Sequence, residues 1–185
     1  MKKKIREEMK EKRKNMEIAE VMQKSNLAQD IFLKSEQYKK AKSVMLYMPL
    51  GNEVSTFEII SDGIKQGKNI LVPITDKDTF EISAYRITEN TEFEKGTFSV
   101  SEPKEKESFD ASGIDVVLVP GIAFDRYGGR IGFGKGCYDK FLKDIKAVKI
   151  GFCYDFQLVE RIKTDSNDVN MDYIITEKEF IRGKL

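Results

Sequence analysis

Apolar residues along this chain recur with two periods, and the switching between them outlines an architecture. Residues 2–15 are dense in strong helix formers and contain neither glycine nor proline; Ile5, Met9 and Met16 give one thin apolar stripe. A second helix follows, with Ile18, Val21, Met22, Ala28 and Phe32 as its expected buried face. Ser43–Met48 runs apolar rather than alternating, which suits a strand covered on both faces, and Pro49-Leu50-Gly51-Asn52 breaks it. Thr56 is placed to cap a helix with Phe57, Ile59, Ile60 and Ile64 as its apolar positions and Gly67 at its end. Asn69–Pro73 is the next strand and completes a strand–helix–strand unit.

Phe80–Ile87 alternates and predicts a further strand, whereas residues 88–113 are polar, with Gly96, Pro103 and a charged cluster from Lys104 to Glu107. This stretch reads as an excursion carrying a short strand near Phe98–Val100, not as a domain boundary. Val116–Val119 is another buried strand, and Tyr138, Phe141, Leu142 and Ile145 recur at helical spacing. Strands are expected at Val148–Tyr154 and Met171–Thr176, a helical turn at Gln157-Leu158-Val159, and a loop at Thr164–Asp168, with Glu177–Leu185 as a short terminal segment. There are no repeats and no low-complexity linkers. Strand–helix alternation of this kind predicts an α/β fold, a three-layer α/β/α sandwich with a mostly parallel central sheet, in a single domain over residues 1–185.

Composition narrows the chemistry. The chain has 185 residues, 40% hydrophobic and 34% charged, with a net charge of +1, which argues against a generally nucleic-acid-binding surface. No apolar run is long enough to span a bilayer, and the charged start is unlike a secretory signal. Two cysteines, Cys137 and Cys153, are too few to staple a fold of this size and lack metal-site spacing, so a reducing cytoplasm is the expected setting. Histidine is absent, which removes imidazole bases, His-based triads and His-ligated zinc.

The chemistry concentrates in Pro120–Leu142. Gly128, Gly129, Gly132, Gly134 and Gly136 lie between the Val116–Val119 strand and the following helix, interspersed with Arg126, Arg130 and Lys135. A glycine-rich turn feeding a helix presents bare backbone N–H groups, which with nearby cations make a phosphate cradle. The spacing is neither that of a Walker A loop nor that of the dinucleotide fingerprint. Asp139 beside such a cradle either complements the helix dipole or faces phosphate through a bridging Mg²⁺. Asp125 and Arg126 are an acid–base pair suited to bracing the turn.

The run Pro-Gly-Ile-Ala-Phe-Asp, then Gly-Arg-Ile-Gly, then alternate glycines and Tyr-Asp, closely resembles the signature of the 5-formyltetrahydrofolate cyclo-ligase family. Other stretches agree. Lys2-Lys3-Lys4-Ile5-Arg6 is similar to that family's basic N-terminal helix, Tyr47-Met48-Pro49 through Glu53-Val54-Ser55-Thr56 to its folate-binding turn, and Glu102-Pro103 to its central Pro-Glu-Pro-type segment. Asp168 falls where the family has a late acidic residue, with Asp165 and Asp172 close by. One departure is Cys137-Tyr138, where the family usually has two tyrosines.

The resemblance implies an α/β enzyme that uses ATP and Mg²⁺ to convert 5-formyltetrahydrofolate to 5,10-methenyltetrahydrofolate, through a phosphorylated N5-formyl intermediate that N10 closes. It implies that Lys2, Lys3, Arg6 and the run Arg130, Ile131, Gly132, Phe133, Gly134, Lys135, Gly136, Cys137 and Tyr138 bind ATP, with Arg130 and Lys135 as the catalytic cations. Asp139 and Asp168 would hold the metal, and Met48, Glu53 and Tyr138 would contact the folate. Read without the resemblance, Glu53 is a loop acid, Lys2 and Arg6 belong to a solvated cationic helix face with Lys10 and Arg13, and Tyr138 stacks on a ligand ring or packs its helix. The expected partner is a small molecule, with or without a polyglutamate tail, bound by a monomer that needs neither nucleic acid nor membrane. Two other classes fit parts of the sequence: a nucleotide- or folate-binding module without turnover, and a nucleic-acid-binding protein using the Lys-rich N-terminus, although acids balance the cations of that helix and no aromatic platform accompanies them.

Overall fold

The computed structural model describes residues 2–183. The expected terminal segment therefore extends beyond them, since Lys184 and Leu185 lie outside the described residues.

In chain order the elements are α1 (Lys2–Lys14), α2 (Ile18–Lys34), α3 (Glu36–Lys40), β1 (Ser43–Met45), α4 (Phe57–Lys65), β2 (Asn69–Thr75), β3 (Ile82–Ile87), β4 (Phe93–Lys95), β5 (Ser101–Pro103), β6 (Glu107–Phe109) and β7 (Val116–Val119). They continue with β8 (Ala123–Asp125), β9 (Arg130–Ile131), α5 (Cys137–Lys143), β10 (Val148–Phe152), β11 (Leu158–Val159), β12 (Tyr173–Ile175) and β13 (Phe180–Arg182). The main sheet is eight-stranded in the order β13-β12-β10-β7-β1-β2-β3-β6. Its middle, β12 through β2, is parallel, and the pairings β13–β12, β2–β3 and β3–β6 at the two edges are antiparallel.

The continuous apolar runs fold as expected of strands buried on both faces. Alternate residues serve opposite sides. Val44, Leu46, Ile70, Val72, Val116 and Leu118 join Ala28, Phe32, Tyr38 and Ile59 of α2, α3 and α4 in one core. Met45, Leu71, Val117 and Val119 join Phe124, Leu142 and Ile145 in the other, under β8 and α5. The sandwich expected from the sequence is thus the fold observed. The N-terminal helix packs separately, with Met9 against Ile122, Ala123, Ile131 and Ile162.

Several local expectations are corrected. The first strand stops at Met45; Leu46–Met48 stay buried, the Leu46 amide still donating to the Leu71 carbonyl (2.9 Å), and beyond it the Tyr47 hydroxyl donates to the Val54 carbonyl (2.7 Å). Thr56 does not cap α4 with its side chain, because its hydroxyl donates to the Tyr47 carbonyl (2.8 Å). Gln29 of α2 instead accepts from the Glu58 amide at 2.9 Å. The buried face of α2 is Ser25, Ala28, Gln29 and Phe32, while Ile18 and Met22 are 79% and 61% exposed. Phe98 lies in a 3₁₀ turn, Thr97–Ser99, rather than in a strand; β4 and β5 flank it as a hairpin, and Glu102 accepts from the Thr97 amide at 2.9 Å. The turn expected at 157–159 is a 3₁₀ segment at Asp155–Gln157 followed by β11, and the last parallel strand shortens to β12. The terminal segment contributes β13, an edge strand that its charged sequence conceals.

Candidate functional site

β1 and β7 are neighbours in the sheet, yet the chain leaves them toward opposite sides, β1 to β2 and β7 to β10. Such a switch point opens a crevice at the carboxyl ends of the strands. Tyr47–Glu53 emerges there from β1, and the glycine-rich loop from β7.

The loop is built in two stages. After Pro120 the chain forms the β8–β9 hairpin, which periodicity did not reveal because strands of two and three residues have none. Asp125, almost fully buried, holds its turn: one carboxylate oxygen accepts from the amides of Tyr127 (2.9 Å) and Gly129 (2.8 Å), the other from Ile162 at 2.7 Å. Arg126 is not its partner; it pairs with Glu179. The strand β9 then delivers Arg130, and Gly132–Gly136 leads into α5. Gly134 has φ +101°, a conformation an L side chain would strain.

Arg130 is the centre of the corner. Its side chain is only 5% exposed; Nη2 donates to Asp139 Oδ2 at 3.0 Å and Nη1 to the Pro120 carbonyl at 3.3 Å. Its Nε is buried without an acceptor. A Cβ on Gly132 would sit 2.8 Å from Nη1, so glycine there leaves the guanidinium its room. The other oxygen of Asp139 accepts from the Val169 amide (3.1 Å), which sets it next to Asp168. Asp168 in turn accepts from Lys2 Nζ at 2.8 Å and the Asp165 amide at 3.0 Å. Burial works to raise the Asp168 carboxyl, but Lys2, the Asp165 amide and the charge of Arg130 hold it below the usual range. Arg6 Nε donates to the Gly132 carbonyl at 2.8 Å. Lys2, Arg6, Arg130, Gly132, Asp139 and Asp168 therefore meet, although they span nearly the whole chain. Asp165 lies 3.8 Å from Lys2 on the exposed rim, and Asp172 is committed elsewhere, accepting from the Lys149 amide at 2.8 Å.

The remaining candidates surround this corner. Lys3 is exposed. Lys135 lies over the Phe80 ring, 5.2 Å from its centroid, and Phe80 stacks on Phe98 at 6.2 Å. That aromatic pair was not found from sequence, since the two phenylalanines lie in irregular segments and both have positive φ, 60° and 55°. Ile131 is buried, and Phe133 is exposed with Lys10 and Arg13 against its ring. Met48 and Glu53 are buried at the end of the β1 segment. Tyr138 connects the two halves: the Arg130 guanidinium lies 5.7 Å from its ring centroid, and burial, then the nearby Glu53 charge, push its phenol up. Burial also raises the Cys137 thiol despite Lys140, Lys135 and Arg130, so that position does not present a thiolate.

What the corner can hold follows from its donors. A buried guanidinium nitrogen lacking an acceptor, beside bare amides and further cations, suits an anion such as phosphate. Among the described residues no three His, Cys, Asp or Glu side chains cluster to cage a metal ion. Asp139, bonded to the amide of Val169, and Asp168, the residue before it, still supply the one or two carboxylates that Mg²⁺ takes before it completes its shell with water and phosphate oxygens.

Comparison with known proteins places the chain among relatives. Residues 1–177 match the 5-formyltetrahydrofolate cyclo-ligase family. The chain is 27% identical to the mouse 5-formyltetrahydrofolate cyclo-ligase over 94% of its length and 92% of that protein. It is 30% identical to a probable 5-formyltetrahydrofolate cyclo-ligase of Schizosaccharomyces pombe, covering 80% of each. Among solved structures it resembles the 5,10-methenyltetrahydrofolate synthetase of Aquifex aeolicus (TM-score 0.88, 34% identity, covering 100% of this chain and 93% of that one). It also resembles that of Mycoplasma pneumoniae (TM-score 0.76, 26% identity, 95% and 98%).

Proposed function

The chain belongs to the 5-formyltetrahydrofolate cyclo-ligase family and is an enzyme of that class; we propose that it drives the cyclisation of 5-formyltetrahydrofolate with ATP and Mg²⁺, at the corner formed by Arg130, the glycine-rich loop and the Asp139–Asp168 pair. The observation that carries this reading is Arg130, whose buried Nε has no acceptor beside a loop of bare amides. A γ-phosphate oxygen that reached this corner would give the guanidinium the acceptor it lacks.

The chemistry suits a site without histidine. The N5-formyl oxygen attacks the γ-phosphorus and ADP leaves, giving a phosphorylated imidate. N10 then attacks the activated carbon, the C–O bond breaks, and phosphate departs with the N10 proton as the methenyl bridge forms. Phosphoryl transfer asks for positioning and charge neutralisation more than for a proton carrier. Lys2, Arg6, Arg130 and Lys135 supply positive charge, and the amides of Gly132–Gly136 orient the phosphates. Asp139 and Asp168 would hold Mg²⁺, which would supply further neutralisation of phosphate charge. Glu53 and Met48 receive the pterin end, where paired ring and amino N–H donors match a carboxylate. That Lys2, Arg6 and Arg13 turn inward to Asp168, Gly132 and Glu53 favours a small-molecule partner over nucleic acid.

The test is optical. Protein incubated with 5-formyltetrahydrofolate, ATP and Mg²⁺ should develop the near-ultraviolet band of the methenyl product, and EDTA should stop it. A flat trace from folded protein would reduce the chain to a binding module.

A further inference from the structure

Glu53 sits in an unusual electrostatic position. Its side chain is 8% exposed, and one carboxylate oxygen accepts from the Leu50 amide at 2.9 Å. The other faces Arg13 Nη1 at 3.8 Å, near enough for strong attraction but too far for a direct hydrogen bond, so its lone pairs are left for another donor. Arg13 is itself held in place. Its side chain is 13% exposed, its guanidinium lies 5.9 Å from the centroid of the Phe133 ring, and its carbonyl accepts from Asn52 Nδ2 at 2.9 Å. Asn52 also reaches the Met16 carbonyl at 3.3 Å and so fastens the end of α1 to the turn that carries Glu53.

We propose that Arg13 is a positioning residue for the folate half of the site: it keeps the buried Glu53 carboxylate ionised with one oxygen open, and its seat on Phe133 ties that carboxylate to the glycine-rich loop. Nothing in the sequence pattern assigns Arg13 this task beyond its place seven residues after Arg6, on the same helix face. The proposal rests on the folate reading of Glu53 given above. A bidentate donor such as a pterin amidine edge needs the carboxylate charged. Burial opposes that charge and holds the Glu53 carboxyl above its usual range; Arg13, ahead of the Leu50 amide, is the larger of the two groups that pull it back down. The other groups that face this pocket are Tyr47 from the β1 segment and Tyr138 from α5; both phenols are pushed up by burial and by Glu53 itself and stay neutral near neutrality. Arg13 is therefore the charged side chain whose loss Glu53 would register.

The sign follows. Glu53 binds as the anion, so affinity falls as pH drops through its pKa, and removing Arg13 moves that fall to higher pH. In Arg13→Met the Glu53 carboxyl, followed by carbon NMR of glutamate-labelled protein without ligand, should titrate at least one pH unit higher than in the parent chain. 5-Formyltetrahydrofolate affinity should then fall at a higher pH than in the parent, the loss growing toward about tenfold once the pH lies below both Glu53 titrations and vanishing in alkaline solution. Arg13→Lys, which keeps the charge and loses the fork, should return the pH profile to that of the parent. An unmoved Glu53 titration, an affinity loss equal at every pH, or a lysine variant no better than methionine would overturn the proposal. Failure of the parent chain to bind 5-formyltetrahydrofolate would instead count against the folate reading, because the ligand-free titration decides the role of Arg13 by itself.

Discussion

At the scale of single residues the site is an exercise in keeping buried charge matched. Arg130 holds Asp139, Lys2 holds Asp168 and Arg13 stands by Glu53. For Arg130 and Glu53, both buried, losing the partner would be costly, since it leaves an uncompensated charge in a low-dielectric place; Lys2 and Asp168 are more exposed and water screens them. Arg130 does more than pair, because its planar fork reaches Asp139 and Pro120 with a third donor left over. Arg130→Lys therefore keeps the charge but loses the fork. It should lower kcat by about 10²–10³ while far-ultraviolet dichroism stays that of the parent; a variant with parental kcat would remove Arg130 from the phosphate site. Arg130, Gly132, Gly134, Gly136 and Asp139 were legible because they are contiguous and glycine-spaced. The Arg13–Glu53 pairing was not, since a helix and a turn far apart in sequence carry no shared pattern. Nor was the Phe80–Phe98 stack, which depends on backbone conformations that phenylalanine seldom adopts.

At the scale of elements, the β8–β9 hairpin is what aims Arg130. Its turn works because Gly128, at φ +93°, lies against Met171: the Met171 amide donates to the Gly128 carbonyl at 2.8 Å, and a Cβ on Gly128 would collide with the Met171 carbonyl. Gly128→Ala should destabilise the fold by about 1–3 kcal/mol, read as a lower urea midpoint. An unchanged midpoint would mean the turn has room that the geometry denies. The parallel strands were legible as uninterrupted apolar runs, because a strand covered on both faces cannot afford polar positions. The edges were not. β13 alternates one buried residue between two exposed ones over three positions, too short to register as a period. α2 was misread for a different reason: its inward face includes Ser25 and Gln29, chosen for hydrogen bonds to Ser55 and Glu58, while Ile18 and Met22 face outward. Apolar periodicity cannot report a face that is partly polar by design.

At the scale of the whole molecule, sheet order converts these local devices into one site. Because β1 and β7 are adjacent and their connections diverge, the Tyr47–Glu53 turn and the glycine-rich loop open onto the same crevice. The first helix closes it, bringing Lys2, Arg6 and Arg13 to Asp168, Gly132 and Glu53 in turn. The sandwich itself was legible, and so was the family; that α1 serves both halves of the crevice at once became visible only in three dimensions. In the proposed reaction, phosphoryl transfer to the formyl oxygen drives ring closure. The measurement that tests it most directly is a turnover with 5-formyltetrahydrofolate carrying ¹⁸O in the formyl group, with the released phosphate analysed by mass. One ¹⁸O should appear in each phosphate formed. Unlabelled phosphate from a reaction that still yields methenyltetrahydrofolate would contradict the mechanism and place ATP cleavage elsewhere.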